Sequence, residues 1–316
     1  MDKDMYNENL LVKVAWYYYK ENLTQQEISE ILGLSRNKVV RLLEKARLEG
    51  IVQFHIKGYG TNCLSIEKDL KETFSLSNAF VVPTPADKST LNTTLAKAAA
   101  QYLQNKLQKK DLIGFGWGRT VSYTIEHLSI EEDSELSAVT LTGGVNYYFP
   151  NTTLSNRGLS KFKNIHVIPT PFLASTEEMA SKFLNEPTVK EILDLAMLSK
   201  YAVVGIGATS LDATIVLEEK LTISELTYIR QQNAVGDILG QFFNRDGEIL
   251  DLPHHSRLIG IKLPVLKKMN NVIAVAGGEK KVEAIYGALK GKYVNMLITD
   301  ELTAISLLKM EEESKK

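Results

Sequence analysis

The sequence predicts an α/β protein in two parts. A helix-turn-helix unit with a short wing should occupy residues 1–57, and a larger domain built on a mostly parallel sheet should occupy residues 58–316. Three observations predict it. A capping box and a glycine stop bracket a short helix near the N-terminus. The helix that follows collects its cations on one face. Beyond residue 58, β-branched runs alternate with helical stretches, and several of those runs end in glycine.

The first helix is expected over NENLLVKVAWYYYKEN, where Leu10, Leu11, Val14, Ala15 and Tyr18 recur at helical spacing. Thr24 and Glu27 form the box that starts the second helix, which runs through Ile28 and Ile31 to Gly33. Ser35 caps a third, from Arg36 to about Glu49, with Gly50 closing it. At 100° per residue, Val39, Leu42, Leu43 and Ala46 fall on one side of this helix, while Lys38, Arg41 and Lys45 fall on the other with Asn37 at the edge. Small Ser29, four residues before Gly33, suits close packing of the pair. Ile51–Ile56 alternates and reads as a strand or wing; its His55 is taken as structural.

Charge sharpens this reading. Lys plus Arg total 37 and Asp plus Glu 38, a net of −1, which excludes a chain coated along its length by nucleic acid or lying on an anionic membrane. Locally the balance differs: Arg36–Arg47 holds five cations and one acid. That pattern suits one helix meeting one polyanion, although a solvated face is its common bland meaning. In a major groove, Ser35, Arg36, Asn37 and Arg41 would reach base edges, and Lys38 and Lys45 (with Arg47) would hold phosphates. Gln25 and Gln26 open the second helix, where a further phosphate fits.

Gly58-Tyr-Gly60 reads as a linker. Strands are then expected at 79–83, 112–116, 138–144, 165–169, 201–207, 271–278 and 293–300. Helices are expected at Leu91–Leu107, Val121–Leu128, Pro187–Met197 and Lys281–Leu289. Four strands end in glycine loops: Gly114-Phe-Gly-Trp-Gly-Arg-Thr120, Thr142-Gly-Gly144, Gly205-Ile-Gly-Ala-Thr209 and Gly277-Gly-Glu-Lys-Lys281. Any one of them could be a plain tight turn. Four together, gathered about one cavity, point to a phosphate-bearing ligand, since parallel sheets collect ligands at strand carboxyl ends and exposed amides favour anions. The spacing G-x-G-x-G is not the dinucleotide fingerprint, and no P-loop is present. Asp237, after Gly236, could accept from sugar hydroxyls or cap a helix. Asn244–Gly247 has turn composition.

Several classes drop out. A lone Cys63 rules out a disulfide framework and a multi-cysteine zinc site. His254-His255 lacks acids or cysteines at ligand spacing, so no metal or cofactor is expected. The opening MDKDMYNENL does not read as a secretory signal, and no apolar run nears the ~20 residues of a membrane span. A cytoplasmic protein without membrane partners is the expectation. Tyr17–Tyr19 and Tyr147–Phe149 read as packing residues, and the tail MEEESKK as a polar, fraying end.

The order of these segments resembles the SorC family of bacterial transcriptional regulators. LTQQEISEILGLSRNKVVRLLEKARLEGIV, GFGWGRT, LTGGV, VGIGAT, AVGDILGQFF and AVAGGEKKVEAIYGALKGKYVNMLITDELTA carry it, across nearly the whole chain. The resemblance implies a Rossmann-like effector domain of the sugar-isomerase type, as in glucosamine-6-phosphate deaminase and ribose-5-phosphate isomerase. It also implies operator DNA, a homo-oligomer (dimer or tetramer), a repressor's role, and a phosphorylated sugar or phospho-autoinducer-2 as effector. By the same resemblance Asp237 would bind ligand hydroxyls, Lys281 phosphate, and Phe115 and Leu239 would line the pocket. Gly116, Gly118, Thr120, Gly143, Gly144, Gly207 and Gly278 of the glycine loops complete the expected effector set. One branch of the family holds its ligand as a Schiff base on a K-G-G lysine; here that position is Thr142, so binding should be reversible. The loop after Gly144 has no cation before Arg157. The rival expectation is a sugar-phosphate isomerase or deaminase on the same fold. It would need a base over the substrate, and only Asp237, Glu279 and Glu283 lie near glycine loops. No catalytic residue is therefore assigned.

Overall fold

The computed structural model describes residues 3–48, 51–52, 61–131, 134–144 and 161–315. The chain divides into two compact units, Met1–Gly58 and Tyr59–Lys316.

The first unit packs helices α1 (Lys3–Tyr19), α2 (Gln25–Leu32) and α3 (Arg36–Leu48). The capping box forms as expected: the Glu27 N–H donates to Thr24 Oγ1, and the Thr24 N–H donates to Glu27 Oε2 at 2.7 Å. Gly33 takes φ 63°, a left-handed stop, and lets the Leu34 N–H reach the Ser29 carbonyl at 2.9 Å. Ser35 Oγ accepts the Lys38 N–H and starts α3. Val14, Ile28, Val39 and Leu43 form the core, with Tyr17, Tyr18 and Tyr19 packed half-buried against it. Ala46 joins Leu11 and Ala15 beside it. Ile51 and Val52 form a bend; Gln53–Ile56, His55 and the linker Gly58–Gly60 lie outside the described residues, as do Glu49 and Gly50.

Among its described residues the second unit holds ten strands: β1 (Asn78–Val82), β2 (Leu112–Phe115), β3 (Ser137–Thr140), β4 (Asn164–His166), β5 (Tyr201–Val204), β6 (Gly207–Ala208), β7 (Gly236–Ile238), β8 (Gln241–Phe243), β9 (Val272–Val275) and β10 (Met296–Asp300). Seven of them form one sheet in the order β1-β10-β9-β5-β2-β3-β4, every neighbouring pair parallel. The central strands are buried on both faces, so Tyr201–Val204 and Val272–Val275 read as unbroken apolar runs. From β2 the chain steps outward to β3 and β4, then returns to β5 on the other side of β2. The carboxyl ends of β2 and β5 therefore flank a topological switch point, where an open parallel sheet leaves a crevice.

Two sequence readings need correction. Asp237 is not a helix cap: it lies on β7, in the antiparallel sheet β6-β7-β8. Its neighbours Leu239 and Gly240, at φ 53° and 78°, are the two-residue turn joining β7 to β8. The tail is not frayed before residue 314. The helix Glu301–Ser314 carries Glu311 inward, where Tyr286 Oη donates to its carboxylate at 2.7 Å. Asn244–Gly247 forms the expected turn, with the Gly247 N–H donating to the Asn244 carbonyl. Tyr147–Phe149 and Arg157 lie outside the described residues.

Candidate functional site

A cavity of about 310 Å³ opens at the switch point. That is the low end of the size range for small-molecule sites. Trp117–Thr120 follow β2 into it, Gly205–Ala208 follow β5, and Lys280 and Lys281 arrive from the loop after β9. Asp237 and Leu239 enter from the β7–β8 hairpin, and the segment Ser210–Leu217 closes one side. Three of the four glycine loops thus converge on one cavity.

The hairpin is built to present Asp237. Its carboxylate is 4% exposed and accepts the Gly240 N–H on Oδ2 at 3.0 Å. Gly207 faces it across the β6–β7 pair; a Cβ there would collide with Asp237 Oδ1. Only glycine lets the acid lie flat against the neighbouring strand. Leu239 holds a left-handed conformation that costs a branched side chain energy, and it lines the cavity.

Charge in the cavity is divided. Burial pushes the Asp237 carboxyl up to about 6, against the opposing pull of the Gly240 amide and the Lys281 charge. Burial likewise lowers the Lys281 ammonium, with Asp237 working to keep it charged. Arg119, the first residue of the helix Arg119–His127, lines the cavity beside them and has no ion-pair partner among the described residues. That helix starts at Gly118 (φ 125°) without a side-chain cap, which leaves its first amides open to an anion. At the rim, Lys280 Nζ lies 2.7 Å from Asp212, and that hydrogen bond, with Ser210, takes the Asp212 carboxyl down to about 2. The arrangement offers a cationic pole for a phosphate and an acceptor for hydroxyls.

Of the expected effector residues, the structure brings Gly118, Thr120, Gly207, Asp237, Leu239 and Lys281 to the cavity wall. The others lie elsewhere. Phe115 is fully buried beneath the site, edge-on to Phe162. Gly116 also lies beneath it, where a Cβ would strike Leu239. Gly143 and Gly144 belong to the fourth glycine loop and pack on Thr170–Pro171, the Gly144 N–H donating to the Thr170 carbonyl at 2.8 Å. Gly278 gives its N–H to Asp300 and Thr303 rather than to the cavity. Sequence reasoning missed Arg119, Ser210, Asp212 and Lys280. Arg119 was findable as the first helical residue after a strand-end glycine. Asp212 carried no local signal, because its loop reaches the cavity only through the tertiary fold.

In the first unit, Gln26, Ser35, Arg36, Asn37, Lys38, Arg41 and Lys45 are exposed and Gln25 is half-exposed. Val39, Leu43 and Ala46 are buried on the opposite side of α3, so the helix turns its cations to its exposed face. Among the described residues no cluster of acids, histidines or cysteines could hold a metal ion, and no helix is long and apolar enough to cross a membrane.

Residues 60–309 match the family described as "Putative sugar-binding domain". The chain is 38% identical over 312 residues to the transcriptional regulator LsrR of Escherichia coli strain K12, covering 98% of this chain and 97% of that one. It is 37% identical over 305 residues to LsrR of Enterobacter sp. strain 638, covering 95% and 93%. Its fold superposes on the full-length sorbitol operon regulator SorC from Klebsiella pneumoniae with a TM-score of 0.69 at 27% identity, across 98% of this chain and 99% of that one.

Proposed function

The chain belongs to the sugar-binding-domain family of SorC-type transcriptional regulators, and from that premise we propose that it is a cytoplasmic repressor of a carbohydrate or autoinducer-2 operon, released by a phosphorylated sugar-like effector. Residues 1–57 hold operator DNA, and residues 58–316 bind the effector and assemble the homo-oligomer, a dimer or tetramer. In α3, Arg36 and Asn37 read base edges with Ser35 and Arg41, while Lys38 and Lys45 grip phosphates alongside Gln25 and Gln26 at the start of α2.

The observation that carries the effector assignment is the pairing of a buried carboxylate with two cations inside one small cavity. Asp237 accepts hydrogen bonds from ligand hydroxyls; Lys281, Arg119 and the open start of the Arg119–His127 helix take the phosphate. Thr142 stands where a Schiff-base lysine would be needed and offers no amine, so the ligand binds reversibly.

Unequal affinity of the ligand for two states of the oligomer then weakens its hold on DNA, by ~5- to 150-fold for a coupling of ordinary size. An isomerase reading would need a base free to move a proton. Asp237 has one oxygen engaged by Gly240, and the relatives of this chain are named as regulators. A thermal-shift panel of ribose 5-phosphate, sorbitol 6-phosphate and phospho-autoinducer-2, each beside its unphosphorylated parent, tests the assignment. A ligand at 100 times its Kd stabilises by ~2.7 kcal/mol. Equal shifts with and without the phosphate, or none with any member, would overturn it.

A further inference from the structure

We propose that Asp300 and Thr303 are positioning residues for the effector site: they hold the loop that delivers Lys281, and occupancy of the cavity depends on them. The inference rests on the effector assignment above and extends it to residues that do not line the cavity.

Asp300 ends β10 and is 1% exposed, yet no cation pairs with it among the described residues. Its charge is met by hydrogen-bond donors alone. Thr84 Oγ1 donates to Oδ2 at 2.7 Å, and the Thr303 N–H reaches the same oxygen at 3.3 Å. Thr303 Oγ1 donates to Oδ1 at 2.5 Å. The Gly278 N–H is shared between Oδ1 at 3.2 Å and Thr303 Oγ1 at 2.7 Å. A plain helix cap accounts for only one carboxylate oxygen, through the Thr303 amide. The other oxygen accepts the Thr303 hydroxyl and also the Gly278 amide of the glycine loop, a bond no helix cap requires.

What it holds there matters to the cavity. The Gly278 carbonyl accepts the Lys281 N–H at 2.9 Å, so Gly278 is fixed through both its polar groups, one to Asp300 and Thr303 and one to Lys281. Gly277 packs against Asp300 Oδ1 so closely that a Cβ would collide with it, and Gly278 sits at φ 100°. From that anchored base, Lys281 projects into the cavity and Lys280 to the rim. Loops that carry a binding group lose precision when their backbone anchor is released.

The test compares Thr303→Ser, which keeps the hydroxyl, with Thr303→Val, which removes it at nearly constant volume; Asp300→Asn is the second probe. All measurements are made on the full chain well below each variant's Tm. Two readouts are taken. Amide exchange of residues 277–283 in the ligand-free protein should be accelerated in Thr303→Val and Asp300→Asn and unchanged in Thr303→Ser. Affinity for ribose 5-phosphate, sorbitol 6-phosphate or phospho-autoinducer-2 should fall about tenfold in the first two and stay within about twofold in the third. A lowered Tm with exchange and Kd both unchanged would leave only a helix cap and overturn the proposal. Exchange equal to wild type overturns it even if no sugar phosphate binds the wild type, an outcome that would separately remove the effector assignment.

Discussion

The two units keep their charge in opposite ways. In the first, cations stand on the exposed face of α3 above an apolar core built on Val14, Ile28, Val39 and Leu43. In the second, a buried acid and a half-buried amine line one cavity, and burial pulls both from their ordinary ionisation. Exposed cations are cheap to display and long-ranged, which suits a polyanion approached along its whole surface. A carboxylate held away from water is costly, and that cost is offset when a small ligand supplies matching groups. On the proposed reading, the contrast separates a surface that would grip by many weak contacts from a cavity that would select by few strong ones.

This contrast can be broken experimentally, and the cavity should respond most. Lys281→Ala should weaken effector binding about a hundredfold, the scale of a lost buried charge contact, and leave effector-free operator affinity unchanged. Calorimetric titration with the best sugar phosphate, beside DNA binding without it, measures both. Gly207→Ala should come next: its Cβ displaces Asp237, costing about 2–3 kcal/mol of stability and most of the effector affinity. Equal thermal shifts in wild type and variant would show that the acid need not lie against β6.

Asp237→Asn tests the sealed acid alone. A carboxyl raised to about 6 contributes stability fully below its unfolded value near 3.8 and loses it as pH rises through 6. The variant should therefore melt higher than wild type at pH 7.5, by about 2–3 kcal/mol of stability, with the gap closing by pH 4. A constant gap would mean the acid carries no such burden. His254 and His255, held down to about 4 by burial, act in the other direction in both proteins and cancel in this difference.

The helix should respond least per residue. Arg36→Ala should cost about 1–3 kcal/mol of discrimination between operators, whereas Lys45→Ala should lower affinity evenly and flatten the salt slope by about one. Salt-dependent titrations against two duplex sequences separate these. Unchanged binding in both variants would remove α3 from the DNA interface.

Much of this was legible because it is local. Thr24, Glu27 and Gly33 announce a helix and its end through hydrogen bonds only a few residues long. The parallel strands announce themselves through apolar runs buried on both faces. The β7–β8 hairpin was harder, since Leu239 at a left-handed position is the residue propensity argues against. Which glycine loops face the cavity was not legible at all. Gly118 and Gly143 look alike in sequence, and only strand order turns the first to the switch point and packs the second on Thr170. Asp212 and Asp300 act through partners 68 and 22 residues away, beyond any local pattern.

The central claim is that filling this cavity loosens the hold of α3 on DNA. Fluorescence anisotropy of a duplex selected by the protein from a random pool, titrated with the sugar phosphate that stabilises it most, tests that claim directly. At the ligand concentration that just saturates wild type, the account predicts that operator affinity falls ~5- to 150-fold in wild type and hardly at all in Lys281→Ala. An affinity unmoved by any stabilising ligand, or an equal fall in both proteins, would contradict it.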